Sequence, residues 1–157
     1  MRFLLIDRII KWEPGKHASA VKNVALSEDF FDDHFPLKPI MPAVLIIEGM
    51  AQLSGLLLEE GVRKETGRNL KALMSIIEKA KFRRPVYPGD TLIYRAEVDS
   101  INEVGGRTHV VAQVDGELVT ECGLVFTFHE MNNPHLESRR SEILSLWMKG
   151  LKSHETE

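Results

Sequence analysis

The sequence carries the segment HFPLKPIMPAVLIIEGMAQ at residues 34–52, in which a proline-rich half precedes a strongly apolar half. The three prolines each lack a backbone N–H and restrict the residue before them, so the first half is predicted to be a stiff, extended loop that carries His34. Residues 43–58 are apolar nearly all round and begin directly after a proline, which suits a first helical turn. A long helix that is buried on most sides is therefore expected from residue 43.

Glu48 and Gln52 are the polar exceptions in this helix, and their spacing of four residues puts them on one face. Burial among Val44, Leu45 and their apolar neighbours would raise the pKa of the Glu48 carboxyl, because burial penalises the charged form. His34 and Glu48 form a candidate acid–base pair. The spacing alone leaves a second interpretation open, in which Glu48 is a core carboxylate bonded to Gln52 or to backbone.

The same stretch resembles the signature of the FabZ-type β-hydroxyacyl-acyl-carrier-protein dehydratases, HFPxxPxxP(G)VxxxExMAQ. Ten residues fall in register with it: His34, Phe35, Pro36, Pro39, Pro42, Val44, Glu48, Met50, Ala51 and Gln52. Segments at residues 4–9, 21–24, 81–90 and 121–126 are also similar to family strands. The resemblance covers residues 1–128, which makes the catalytic interpretation of the pair the favoured one.

The resemblance implies an α+β hotdog fold, in which a curved antiparallel sheet wraps a long central helix. It implies that His34 takes the C2 proton of a 3-hydroxyacyl thioester and that Glu48 gives a proton to the departing hydroxyl. The backbone N–H of Ala43 or Val44 is the candidate donor to the thioester oxygen, since free N–H groups at a helix N-terminus favour negative charge. Gln52 is a candidate for orienting the carboxylate.

Three positions depart from the family pattern, since Asp33, Leu37 and Ala43 stand where glycine is usual. A carboxylate at Asp33 would stabilise the imidazolium of His34 and raise its pKa if the two groups came close. Ala43 still supplies a backbone N–H. These departures bear on rate and substrate preference more than on reaction type.

The implied partner is an acyl carrier protein with a phosphopantetheine-linked acyl chain, and the carrier is acidic. Candidate docking charges are Lys38, Lys81, Arg83 and Arg84. The family shares each active site between two subunits, so a homodimer is expected, with a hexamer as the larger alternative. No metal-ligand spacing or phosphate-binding loop is visible, and no cofactor is proposed.

Composition and charge restrict the classes of protein to which the chain can belong. The 157 residues suit one domain, and a formal net charge of −3 gives no general attraction to nucleic acid. Cys122 is the single cysteine, so no intramolecular disulfide can form. The apolar N-terminus is interrupted by Asp7 and Arg8, unlike a signal peptide, and no segment approaches the roughly 20 apolar residues of a membrane span. A cytoplasmic protein is expected.

The pattern along the chain predicts two parts, a hotdog domain over residues 1–128 and a helical extension over residues 129–157. Strands are predicted at residues 3–10, 18–26, 72–79, 91–101, 108–114 and 118–127. Residues 61–71 are predicted to be a polar connection, and Gly105-Gly106 a turn. The extension carries an apolar stripe at helical spacing: Leu136, Ile143, Leu144, Trp147, Met148 and Leu151. Packing of this helix on its own subunit or oligomer is favoured over a membrane-surface or partner-binding role.

The favoured activity is dehydration of (3R)-hydroxyacyl-acyl-carrier-protein to the trans-2-enoyl product in fatty acid biosynthesis. Glu48 favours dehydration alone, because the bifunctional relative that also isomerises the double bond has Asp there. A dehydratase of a specialised pathway, such as polyketide or aryl polyene synthesis, is the second enzyme hypothesis. A noncatalytic acyl-binding hotdog and a thioester hydrolase are the rivals from other classes.

Overall fold

The computed structural model describes residues 3–151 and contains, in that range, six strands and two α-helices. The strands are β1 (Arg8–Glu13), β2 (His17–Asn23), β3 (Leu70–Phe82), β4 (Thr91–Ile101), β5 (Gly105–Val114) and β6 (Glu117–Glu130). The helices are α1 (Ala43–Thr66) and α2 (Pro134–Trp147), and a short 3-10 helix covers Asp29–Phe31.

The strands form one antiparallel sheet in the order β1-β2-β4-β5-β6-β3, and α1 packs on one face of it. Strand β5 shows that one face of the sheet is buried, because its buried residues alternate with less buried ones and so share one face. Met50, Leu53, Leu57 and Leu58 of α1 are fully buried against the sheet. Burial of each such side chain stabilises the fold by about 1.5–3 kcal/mol. The predicted hotdog fold is confirmed.

Helix α1 continues past its predicted end, and the prediction of a connection over residues 61–71 is wrong. Gly61 does not break the helix; it lets the β1–β2 turn approach, since a Cβ there would lie 2.6 Å from the Cα of Gly15. The helix ends at Gly67, whose φ of 72° is left-handed and whose N–H donates to the carbonyl of Arg63.

Several strand boundaries also differ from the predicted ones, and β4 alone has the predicted bounds among the strands of residues 3–151. The first strand begins at Arg8 rather than at residue 3. The Gly105-Gly106 pair was predicted as a turn but starts β5, and the turn lies just before it. The physical reason is packing: a Cβ at Gly106 would lie 2.7 Å from a methyl carbon of Leu58 in α1.

The C-terminal extension contains the predicted amphipathic helix, and this helix packs on its own subunit. Asn133 caps α2 by accepting hydrogen bonds from the N–H groups of His135 and Leu136. Trp147 is buried in the core, and Ile143 packs against it. Residues 152–157 of the extension lie outside the described residues. Within the range 3–151, no helix is long and apolar enough to cross a membrane.

Candidate active site

The proline-rich loop holds the ring of His34 in one orientation. The backbone N–H of Ile40 donates to the His34 carbonyl at 2.9 Å, and the Ile40 carbonyl lies 2.7 Å from His34 Nδ1. The His34–Phe35 peptide bond is cis, and the two rings stack with centroids 4.2 Å apart. Because a carbonyl can only accept, Nδ1 carries the hydrogen of the neutral ring. The lone pair is then on Nε2, where it can take a proton from a ligand.

The carboxylate of Glu48 is held by an amide whose orientation is fixed at both ends. Gln52 Oε1 accepts from the N–H of Leu5 at 3.1 Å, and Gln52 Nε2 donates to the carbonyl of Phe3 at 2.9 Å. The same Nε2 donates to Glu48 Oε1 at 3.2 Å. The Gln52 amide therefore ties the N-terminal segment to α1, and it leaves the second carboxylate oxygen of Glu48 for other partners.

His34 and Glu48 open into two different cavities of the single chain. His34 lines a cavity of about 350 Å³ together with Ala43 and Ile46 of α1. Glu48 lines a cavity of about 730 Å³ together with Gln52. Ile46 and Glu48 are two residues apart on a helix, a rotation of about 200°, so they point to opposite sides of α1. One subunit alone does not bring the predicted acid and base together.

The first turn of α1 faces the His34 cavity and has free backbone donors. Leu45 and Ile46 donate to the Pro42 carbonyl, whereas the N–H groups of Ala43 and Val44 precede any intrahelical acceptor. The Val44 side chain is 72% exposed in the single chain. Glu48 itself is half-buried. The sequence pattern predicted burial for the whole helix, but Val44 in its first turn is exposed and Ala43 and Leu45 are only half-buried.

The structure places only two of the four candidate docking charges at the His34 cavity. Arg83 and Arg84 line the His34 cavity, and Arg84 pairs with Glu117 at 2.9 Å. Lys38 and Lys81 are exposed and form no ion pair with the described residues 3–151. The cavity that holds the histidine is therefore rimmed by two arginines.

Asp33 is exposed, and it forms no ion pair with His34 within the described part of the chain. The ring nitrogen Nδ1 of His34 is taken by the Ile40 carbonyl. A role for Asp33 beside the histidine therefore gains no support from a direct contact.

Sequence reasoning missed the most buried carboxylate, Glu59, which is 1% exposed. Its Oε2 accepts from Arg140 Nη1 at 2.8 Å, and its Oε1 accepts from the N–H of Ala72 at 2.9 Å and lies 3.2 Å from Lys71 Nζ. Glu59 is seven residues beyond Gln52, two helical turns along the same face, and this spacing was the available signal. The group joins α1, β3 and α2.

Among residues 3–151 no group of three histidine, cysteine or acidic side chains is arranged to hold a metal ion. Cys122 is buried, and its burial and the nearby Glu121 raise the pKa of its thiol to about 11. The thiol is therefore not an activated nucleophile.

The fold of the chain is similar to those of solved structures, and these define its fold class. The chain is similar to a hypothetical thioesterase of Streptococcus pneumoniae solved with coenzyme A, with a TM-score of 0.63 and 12% identity over 80% of this chain and 88% of that one. It is also similar to the dehydratase heterocomplex ApeI:P of Xenorhabdus doucetiae, with a TM-score of 0.56 and 22% identity over 72% and 88% of the chains. These likenesses place the chain among hotdog proteins.

Sequence comparison gives the family. The model of the FabA-like domain matches residues 1–128, and the chain belongs to that family. It is 46% identical to the 3-hydroxyacyl-[acyl-carrier-protein] dehydratase FabZ of Geotalea uraniireducens, over 82% of this chain and 88% of that protein. It is also 46% identical to the FabZ of Acetivibrio thermocellus, over 83% and 87% of the two chains.

Proposed function

We propose that this protein is a 3-hydroxyacyl-acyl-carrier-protein dehydratase of fatty acid biosynthesis, which converts the (3R)-hydroxyacyl thioester to the trans-2-enoyl thioester and water. The observation that carries the proposal is the pair of oriented groups, His34 with a free Nε2 and Glu48 with an amide-held carboxylate. Membership of the FabA-like family and the names of its relatives support the same reaction.

His34 is the base in this proposal. Its Nε2 takes the C2 proton, and the electron pair of the C2–H bond forms the new C2=C3 double bond. The bond between Nδ1 and the Ile40 carbonyl keeps Nε2 directed to the substrate and stabilises the imidazolium that forms. The imidazole ring thereby gains the C2 proton and a positive charge while its orientation is already fixed.

Glu48 is the acid. Its carboxyl group gives a proton to the C3 hydroxyl, the C3–O bond breaks with its electron pair, and water leaves. Gln52 Nε2 donates to Oε1 of Glu48, which lines the cavity, and the other carboxyl oxygen carries the proton that is transferred. After turnover the proton gained by His34 returns to the carboxylate of Glu48, and the site is ready for the next substrate.

The helix N-terminus stabilises the charge that develops between these two events. As the C2 proton leaves, the thioester oxygen becomes negative, and the N–H groups of Ala43 and Val44 are free to donate to it. Both groups belong to the turn of α1 that lines the His34 cavity. Backbone donation tolerates alanine where the family usually has glycine.

The active unit in this proposal is a homodimer in which each site takes His34 from one subunit and Glu48 from the other. This arrangement is supported by the finding that His34 and Glu48 line different cavities of the single chain. Strand β3 supports it too, because it is an edge strand that pairs only with β6 in residues 3–151. Its exposed apolar side chains are Leu73, Met74, Ile76, Ile77 and Phe82. An apolar free edge is a template for pairing with a second copy.

The carrier protein approaches at the His34 cavity. Arg83 and Arg84 at its rim, with Lys38 and Lys81 nearby in sequence, supply positive charge for an acidic carrier. Residues 1–128 form the catalytic domain in this proposal, and α2 belongs to a C-terminal segment appended after β6. A cytoplasmic location suits the free thiol of Cys122.

The test follows formation or loss of the enoyl absorbance with crotonyl- and 3-hydroxybutyryl-carrier protein. His34→Ala and Glu48→Gln are each expected to lower kcat/KM by about 10²–10⁴ while the far-UV spectrum is unchanged. A matched control is His109→Ala, which removes the histidine of a His–Glu pair 2.9 Å apart outside the site. This variant is expected to keep wild-type activity.

Three results would contradict the proposal. Wild-type protein that binds acyl carrier without turnover at several chain lengths would indicate the noncatalytic acyl-binding function. Release of free thiol would indicate thioester hydrolysis. Full activity of either site variant would remove that residue from the mechanism.

A further inference from the structure

The Glu48 cavity is larger than the reacting atoms require, and the C-terminal helix α2 forms part of its lining. We propose that α2 forms the outer wall of an acyl-chain pocket and sets the chain-length preference of the enzyme. The inference rests on the proposed function, since it takes the substrate to be an acyl thioester. The family match ends at residue 128, so this wall lies outside the matched domain.

The walls have the chemistry of an acyl-chain site. One wall is the face of α1 that begins at Glu48 and continues through Ala51, Gly55 and Leu56. Phe126 of β6 and the first half of β3 contribute further apolar surface. The cavity volume of about 730 Å³ lies in the range of small-molecule sites. An apolar chain attached at the Glu48 end is the ligand that these walls favour.

The α2 side chains that line the cavity occur at helical spacing and therefore form one face: Leu136, Arg139, Arg140, Ile143 and Trp147. Two anchors fix this face in place. Arg140 bonds to Glu59 at 2.8 Å and to the carbonyl of Leu70 at 2.9 Å, and Trp147 is buried. The wall is therefore fixed to the folded domain at Arg140 and Trp147.

Arg140, which lines the pocket and pairs with Glu59, also gives it a charged end. Glu59 follows Glu48 by eleven residues, about 16 Å along the axis of α1. An extended peptide advances 3.3–3.6 Å over three bonds, so an extended acyl chain advances about 1.2 Å per bond. About a dozen carbons beyond C3 would reach the charged end. A longer apolar chain would have to desolvate the ammonium group of Lys71, which is half exposed, and this cost opposes its binding.

The test measures kcat/KM for 3-hydroxyacyl-carrier protein with 4 and with 12 carbons, for wild type, Ile143→Trp and Leu146→Trp. Ile143 lines the cavity, whereas Leu146 is 61% exposed on the same helix and does not line it. Ile143→Trp is expected to lower the ratio of 12-carbon to 4-carbon kcat/KM by about tenfold or more, since single methylenes are discriminated to that extent. Leu146→Trp is expected to leave the ratio unchanged.

An unchanged ratio in folded Ile143→Trp would overturn the inference while 4-carbon turnover kept the proposed function intact. The same holds if Ile143→Trp changes the molecular mass in solution and not the ratio, because the cavity would then hold a second copy of the chain. Binding of the 12-carbon carrier to wild type and Ile143→Trp, measured by calorimetry, decides the matter even if turnover is absent. Weaker binding by the variant supports the wall, and equal binding overturns it.

Discussion

Replacement of Arg140 by methionine tests how the C-terminal helix is held. Arg140→Met keeps an unbranched apolar stem and removes the charge. The change leaves Glu59, which is 1% exposed, without the partner that donates to it at 2.8 Å. The Leu70 carbonyl also loses a donor at 2.9 Å.

Removing one partner of a buried ion pair destabilises a protein by about 3–5 kcal/mol. A destabilisation at the lower end of this range is expected for Arg140→Met. Glu59 keeps two partners, the Ala72 N–H at 2.9 Å and the half-exposed Lys71 Nζ at 3.2 Å. A loss of about 3 kcal/mol corresponds to a fall in Tm of about 6–12 °C for a chain of this size. The buried α2–α1 contact is thus expected to be a large part of the stability of the extension.

The assay is urea unfolding followed by tryptophan fluorescence at one fixed protein concentration, since assembly contributes to apparent stability. Trp147 reports on α2 directly, and Trp12 reports on the sheet; both are 4% exposed. Arg139→Met is the control, because Arg139 is the exposed neighbour on the same helix and is expected to change stability by less than about 0.5 kcal/mol.

A double-mutant cycle with Glu59→Gln isolates the pair. The two single changes are expected to cost together clearly more than the double change, because the second change removes a charge that is already unpaired. An Arg140→Met protein within about 0.5 kcal/mol of wild type, or additive single effects, would refute the reasoning.

Three further predictions concern the core. Gly49→Ala is expected to destabilise the protein by about 1–3 kcal/mol in urea, because the new Cβ would lie 2.3 Å from Tyr94 Oη; Gly55→Ala, whose Cβ would meet Phe126 at an ordinary 3.6 Å, is expected to be neutral or stabilising. Tyr94→Phe is expected to be as stable as wild type or more so, because the buried Oη has no hydrogen-bond partner among residues 3–151; a loss above 1 kcal/mol would reveal one. Cys122 is expected to resist iodoacetamide at pH 8 until urea unfolds the chain, because a thiol pKa of about 11 leaves about 0.1% thiolate. Since folding favours the protonated thiol, its contribution to stability is present below pH 9.0 and is lost as the pH rises towards 11; rapid labelling of folded protein would contradict this.

Much of the fold could be predicted, because local pattern and tertiary structure agree over most of the chain. Strand β4 was predicted with its observed bounds, and the proline-rich loop and the start of α1 follow from proline stereochemistry. The end of α1 could not be predicted from composition. Gly61 signals a break in an isolated segment, whereas here a glycine is required by the approach of the β1–β2 turn.

The candidate site was predicted in its residues and not in its geometry. Glu48 and Gln52 share a helix face because helical spacing dictates it, and the structure adds the hydrogen bonds that orient the amide. The separation of His34 and Glu48 into two cavities depends on which way α1 turns against the sheet, which no local pattern specifies. Exposure of the Val44 side chain has the same origin, since a single subunit leaves that turn uncovered.

The most direct test of the shared site mixes two inactive proteins. His34→Ala and Glu48→Gln subunits are co-expressed in equal amounts, and dehydration of 3-hydroxybutyryl-carrier protein is measured on the purified mixture. If each site takes one residue from each subunit, half of the dimers are mixed, and each mixed dimer has one intact site. Activity is then expected to return to about a quarter of the wild-type value. A mixture as inactive as its two components would contradict the shared site and, with it, the proposed dimeric enzyme.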